Sequence, residues 1–275
     1  MIDEFLAMPI TPDDDTFELL TPSVALLPVL TGLRSALARL SDIKTPTTSE
    51  AWDSLPVCEM SAHIARYTLW TDGYDMGEIC TEDSQVQNDI NHRLMTDYEI
   101  MSPEDLSERF HLILNRAAVT RRYRRIAETP DITRLFKDSR ALGWQGFDVV
   151  RASETEKRLI RNRRMFVDYF RQDFDWTKLR AIELSEAATL IEYALAGDMM
   201  SREALEPYAC RIATEAMTRY DSWNAFAGAI LIARTFQSLD DGELSSLQQI
   251  GPNEKRLLNL LSSPWSETPW PSFAS

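Results

Sequence analysis

The sequence predicts an all-α protein, a compact bundle of roughly eight to ten helices with no significant sheet. Three observations carry this expectation. Apolar side chains recur three and four residues apart along most of the chain, the period of a helix that buries one face. Ser, Thr or Asp followed by Pro or acidic residues stands before several of those runs, which is how helices start. No run of alternating apolar and polar residues lies between turn dipeptides, as strands would require.

Residues 1–20 read as a flexible acidic lead, with Pro9, Pro12 and Asp13-Asp14-Asp15. A set of N-terminal helices follows over 21–100. Thr21-Pro22 is an N-cap with proline at the first helical position, and Leu26, Leu30, Leu33, Leu37 and Leu40 then line one face, with Pro28 bending the start. After a break at Thr45 to Ser49, Met60, Ile64, Tyr67, Trp70 and Tyr74 define a second helix face between Val57 and Cys80.

A helical core is expected over 101–262. Ser102-Pro103-Glu104-Asp105 combines cap, proline and first-turn acids. The helix it opens buries Leu106, Phe110, Ile113, Leu114 and Ala117 and exits at the run Arg121 to Arg125. Gly143 and Gly146 mark a turn between Leu142 and Val150, and Arg151 to Phe170 reads as a helix that is basic on its exposed side. Leu179 to Ala196 ends at Gly197-Asp198. Ser201 caps Arg202 to Tyr220, and Asp221-Ser222 caps Trp223 to Ser238. Pro252 to Leu261 is a short amphipathic helix, and 263–275, with Pro264, Pro269 and Pro271 around Trp265 and Trp270, is an extended tail. All of this is expected to form one compact unit.

Composition narrows the function. The 275 residues are 44% hydrophobic, which excludes wholesale disorder, and 9 Gly with 13 Pro exclude a collagen-like chain. Cys58, Cys80 and Cys210 are too few and too scattered for a disulfide framework or a zinc cluster, so a reducing compartment is expected. Met1-Ile-Asp-Glu-Phe is acidic where a secretory signal is basic. The most apolar stretch, Leu19 to Leu33, contains Pro22 and Pro28 and falls short of a membrane span. The expectation is a cytoplasmic protein without a membrane partner.

The formal charge is −14, and it is segregated: residues 1–105 hold 5 basic and 20 acidic side chains, whereas 116–171 hold 15 basic and 7 acidic. A basic middle folded back on its acidic flanks accounts for this pattern. A basic face for an anionic partner is the other reading, and Arg121-Arg122-Tyr123-Arg124-Arg125 has the mix that stacks on bases. The overall negative charge opposes nucleic acid, because it repels phosphate at long range.

Several motifs resemble a bacterial domain-of-unknown-function family, number twelve sixty-six, over about residues 98–238. They are Tyr98-Glu99-Ile100-Met101-Ser102, Ala196-Gly197-Asp198-Met199-Met200-Ser201-Arg202-Glu203-Ala204, the Ser-Trp-x-x-Phe of Ser222 to Phe226, and Ala233-Arg234-Thr235-Phe236. Tyr98 stands where the family favours Trp, and Ala233 where it often has Gly. The resemblance implies a helical fold and no established chemistry. In physical terms, Ser222 is a cap, and Trp223 and Phe226 anchor the helix end. Arg234 either pairs a carboxylate or binds a ligand. Trp223, Phe226 and Arg234 are therefore the candidate binding residues.

No phosphate loop, zinc-protease helix or nucleophile elbow occurs in the chain, and no catalytic residue and no cofactor is assigned. Glu59 with His63, Asp89 with His92, and Glu108 with His111 each place an acid and an imidazole one helical turn apart. Together these six residues could build a mixed nitrogen and oxygen metal site. Glu183, Glu186 and Glu192 could pair as acid and base, but they read first as a solvated helix face. The leading expectation is a non-enzymatic protein-binding module, most concretely an immunity-type neutraliser of a basic toxin or nuclease. The alternative is a metal-dependent enzyme built on His63, His92 and His111.

Overall fold

A computed structural model of the chain describes residues 26–44, 59–74, 79, 84–129, 154–172, 174–239, 243–263, 265 and 270. The described residues form ten α-helices and no strand: α1 (Leu26–Ser41), α2 (Glu59–Thr71), α3 (Ser84–Asp97), α4 (Pro103–His111), α5 (Ala118–Glu128), α6 (Glu154–Phe170), α7 (Ala181–Ala196), α8 (Arg202–Arg219), α9 (Trp223–Ser238) and α10 (Glu243–Ser262). A single π turn, Leu112–Arg116, follows α4, and a 3-10 turn, Trp176–Arg180, leads into α7. The all-α expectation holds. The acidic lead, Thr21-Pro22, the break at 45–49 and the 142–150 turn lie outside the described residues.

Helix α7 is the axis of the fold. Thirteen of its sixteen residues are buried, and it packs against α2, α8, α9 and α3. A helix covered on nearly all sides needs apolar or small residues all round, which its Ala, Leu and Ile content supplies. Along the α2–α7 seam small hydroxyls let the backbones approach. Ser185 donates to the Ile64 carbonyl at 3.0 Å and shares a 2.7 Å hydrogen bond with Thr68. On the other side of the molecule, α9 packs on α1 and α10, and α5 packs on α6 and the 3-10 turn.

Local capping follows the sequence. The hydroxyls of Ser102, Ser201 and Ser222 accept from the backbone N–H three residues on, at Asp105, Ala204 and Ala225, satisfying donors that a helix start leaves free. Past α7 the left-handed residue is Asp198 (φ 53°) rather than Gly197. A Cβ at Gly197 would come 2.4 Å from the Asn91 side-chain oxygen and 3.1 Å from the Tyr193 carbonyl, so the exposed Asn91 amide would have to swing aside.

Several expectations are corrected. The helix opened by Ser102 does not run on to the arginines. It passes through the π turn and stops at Ala117, in the left-handed region (φ 45°), and Arg121 to Arg125 lie within a separate helix. Helix α10 begins at Glu243 and carries Pro252 in its interior. Helix α6 is not basic only outward, because Arg163 is buried and Arg161 and Arg164 are half-buried. Finally, the indoles of the tail are core, with Trp265 and Trp270 0% and 3% exposed.

Candidate functional site

The Ser-Trp-x-x-Phe segment is a structural corner. After the Ser222 cap, the Trp223 indole is fully buried and stacks on Trp265 (centroids 4.6 Å, interplanar 10°). It meets Trp270 edge-on at 4.7 Å and Phe226 at 6.0 Å. Trp270 Nε1 donates to the Tyr220 carbonyl at 2.9 Å and Trp265 Nε1 to the His63 carbonyl at 3.0 Å. Next to Trp223 in sequence, the half-buried Asn224 donates to the carbonyls of Leu40 and Ile43, closing the end of α1. Trp223 and Phe226 have no exposed surface. They pack the core at this corner.

Arg234, the third candidate, sits three turns along α9 in a polar environment. Its Nη1 lies 3.9 Å from Glu186 Oε1, and both side chains keep 27% of their surface exposed. The guanidinium carbon is 6.0 Å from the Tyr67 ring centroid. Among the described residues the buried atoms Arg234 Nε, Arg109 Nε and Tyr67 Oη have no hydrogen-bond partner. Glu186 is crowded enough that burial pushes its carboxyl above the ordinary value, with Arg234 and Arg109 acting against the rise and Glu183 and Asp72 with it. Beside this group, Tyr193 donates to Asp72 at 2.7 Å, Arg93 lies 3.6 Å from the same carboxylate, and Tyr74 and Tyr98 pack edge-on against the Tyr193 ring. Arg234 of α9 thus stands between Glu186 of α7 and Tyr67 of α2, and Tyr193 of α7 gathers Asp72, Tyr74 and Tyr98.

The three glutamates of α7 are not a solvated face. Glu183 is buried and accepts from the backbone N–H of Val119 at 2.8 Å and of Thr120 at 3.3 Å, and from the Thr120 hydroxyl. It caps α5 from across the fold, because Ala117 leaves that helix without a local side-chain cap. Arg180, one turn before Glu183 and 3% exposed, takes the carbonyls of Ile113 and Leu114 at 2.8 and 2.7 Å and pairs with Glu215 at 2.8 Å. The two side chains, 3.3 Å apart, therefore stitch both edges of the break at Ala117. Glu192 is 8% exposed, and burial, opposed only by Arg202, raises its pKa to about 7.

The proposed metal ligands do not gather. Glu59, Asp89, His92, Glu108 and His111 are exposed, and His111 Nδ1 shares a hydrogen bond with Asn115. His63 is half-buried, and desolvation and Arg66 lower its pKa to about 4. Among the described residues no three His, Cys, Asp or Glu side chains are placed to hold a metal ion.

Sequence reasoning named Arg234 and missed its surroundings. Tyr67 read as core, Glu186 as surface, and Arg109 and Asp72 went unremarked. The available signal was the composition of α7, where glutamates interrupt a stretch that is otherwise Ala, Leu and Ile and so need basic partners.

The basic stretch is divided where it is described: Arg163 is buried and Arg164 half-buried, whereas Arg116, Arg121, Arg124, Arg125, Arg158 and Arg171 are exposed. Arg164 pairs with Asp168 at 2.6 Å and donates to the Ile126 and Thr129 carbonyls. Arg124 pairs with Glu128 and lies over the Trp176 ring. No described helix is long and apolar enough to cross a membrane. A family model described as "Protein of unknown function (DUF1266)" matches residues 79–270. That match extends past the motif-bearing stretch at both ends and takes in the tail indoles. No curated protein and no solved structure matches the chain.

Proposed function

The chain belongs to the DUF1266 family, and from that premise we propose that it is a non-enzymatic protein-binding module, most concretely a cytoplasmic, immunity-type neutraliser of a basic toxin or nuclease. The observation behind this reading is where the charge goes. The chain carries 43 acidic against 29 basic side chains, and Arg164 of the basic stretch spends its charge on Asp168 and on the Ile126 and Thr129 carbonyls. Over the chain as a whole acid is in excess, with a formal charge of −14. An acidic helical surface attracts a basic protein and covers the groups it uses on anionic substrates. Co-purification with the product of the adjacent gene tests the reading. A stoichiometric complex with a basic protein supports it, and no complex at micromolar concentration of both proteins overturns it.

A further inference from the structure

We propose that the partly exposed pair Glu186 and Arg234, over the buried Tyr67, binds a small molecule through an oxyanion, a carboxylate or a phosphate. The inference goes beyond a protein partner, and either proposal stands if the other fails.

Native proteins satisfy nearly all buried polar atoms, so unsatisfied donors grouped around one point call for an acceptor. Here two such atoms come from two helices, Arg109 Nε from α4 and Arg234 Nε from α9, and the Tyr67 phenol of α2, with no partner at full hydrogen-bond length, lies within reach of Arg234 and Thr71. All are donors or, for the phenol, can donate. Arg234 Nη1 lies 3.9 Å from Glu186 Oε1 and its guanidinium carbon 6.0 Å from the Tyr67 ring centroid, and the charge of Arg109 is felt at the same carboxylate. Tyr67 itself is fully buried.

Glu186 does not meet this demand. Its nearest contact with Arg234 is 3.9 Å, beyond hydrogen-bond length. The gap and the shared 27% exposure leave Arg234 reachable from solvent. A guanidinium offers Nε and Nη side by side, the fork that matches two oxygens of a carboxylate or phosphate. Tyr67 adds a neutral donor and Arg109 a second charge. Tyr98, packed on Tyr193 beside them, supplies an aromatic wall for the organic part of the ligand.

The test is calorimetric titration of the full chain with inorganic phosphate and, separately, with malonate, against chloride at equal ionic strength. Saturable binding of at least one oxyanion is expected. Preference for phosphate assigns a phosphorylated ligand, and preference for malonate a carboxylic acid. Arg234→Gln and Tyr67→Phe should each weaken binding about 10- to 100-fold, the range for losing a hydrogen bond to a charged group. Glu186→Gln should tighten it, because Arg234 is released from the competing carboxylate. Tyr67→Phe removes one oxygen from a packed ring and keeps the fold, which the helical circular dichroism of each variant checks. No saturable binding of either anion up to about 10 mM, or binding that survives both donor substitutions unchanged, overturns the proposal.

Discussion

Replacing Trp223 by alanine removes the ring on which the C-terminal corner is built. Truncating a buried Trp costs about 3–5 kcal/mol in transfer and cavity terms, and Trp223 is fully buried. Its stacked contact with Trp265 and edge contact with Trp270 add roughly 0.5–1.5 kcal/mol each when the geometry is kept. Part of that is shared with the cavity term, so a loss of about 5 kcal/mol is expected, a large fraction of a typical domain's stability. The tail should loosen at the same time, because the Trp223 ring lies between the two indoles that it holds over Tyr220 and His63. Urea unfolding followed by circular dichroism measures the first effect, and a red shift in tryptophan emission the second. If Trp223→Ala does not fold, Trp223→Phe keeps one ring and should still lower stability by about 1–3 kcal/mol. A loss below about 1 kcal/mol for the alanine variant would refute the reasoning.

Arg180→Met leaves Glu183 buried without its cation and frees two carbonyls at the Ala117 break, so a loss of about 3–5 kcal/mol in urea unfolding is expected; an unchanged midpoint would contradict the stitching role. Glu192 binds its proton more tightly in the folded state (about 7) than in the unfolded chain (near 4.5), so folding stability should fall as pH rises between those values. Glu192→Gln should therefore stabilise the protein at pH 8, by on the order of 3 kcal/mol, and flatten the decline; equal pH profiles for both proteins would count against it. Purified protein should carry no stoichiometric transition metal, and replacing His63, His92 and His111 together by Gln should leave partner binding intact. Metal lost on that substitution would move the account to the metal-dependent enzyme.

The helix starts were legible because capping is local. Ser102, Ser201 and Ser222 sit three residues before the amides they serve, and nothing distant can override that geometry. The start of α5 was not legible, since its cap, Glu183, is more than sixty residues away in sequence. The π turn before it has no sequence mark beyond an ordinary apolar run. Periodicity identified faces of half-buried helices such as α1 but misjudged α7, where almost every direction faces protein and a glutamate is no sign of water. The same limit hid most of the candidate site. Arg234 was visible beside a recognisable motif, whereas Glu186, Arg109 and Tyr67 acquire meaning only when α2, α4, α7 and α9 come together. Prolines around Trp265 and Trp270 suggested an extended tail, yet local stiffness says nothing about burial, and both indoles found partners in the core.

The neutraliser reading rests on electrostatic steering, so the most direct measurement is the association rate with the product of the adjacent gene across a salt series. Complementary charge lifts association from about 10⁵–10⁶ to 10⁸ M⁻¹s⁻¹ or more at low salt, and screening shortens its reach to roughly 8 Å at physiological ionic strength. The account predicts a fast rate that falls steeply as salt rises, with acidic donors drawn from residues 1–105 or 172–275, which hold 35 of the 43 acidic side chains. An association rate indifferent to salt, or a contact centred on Arg121 to Arg125, would contradict it.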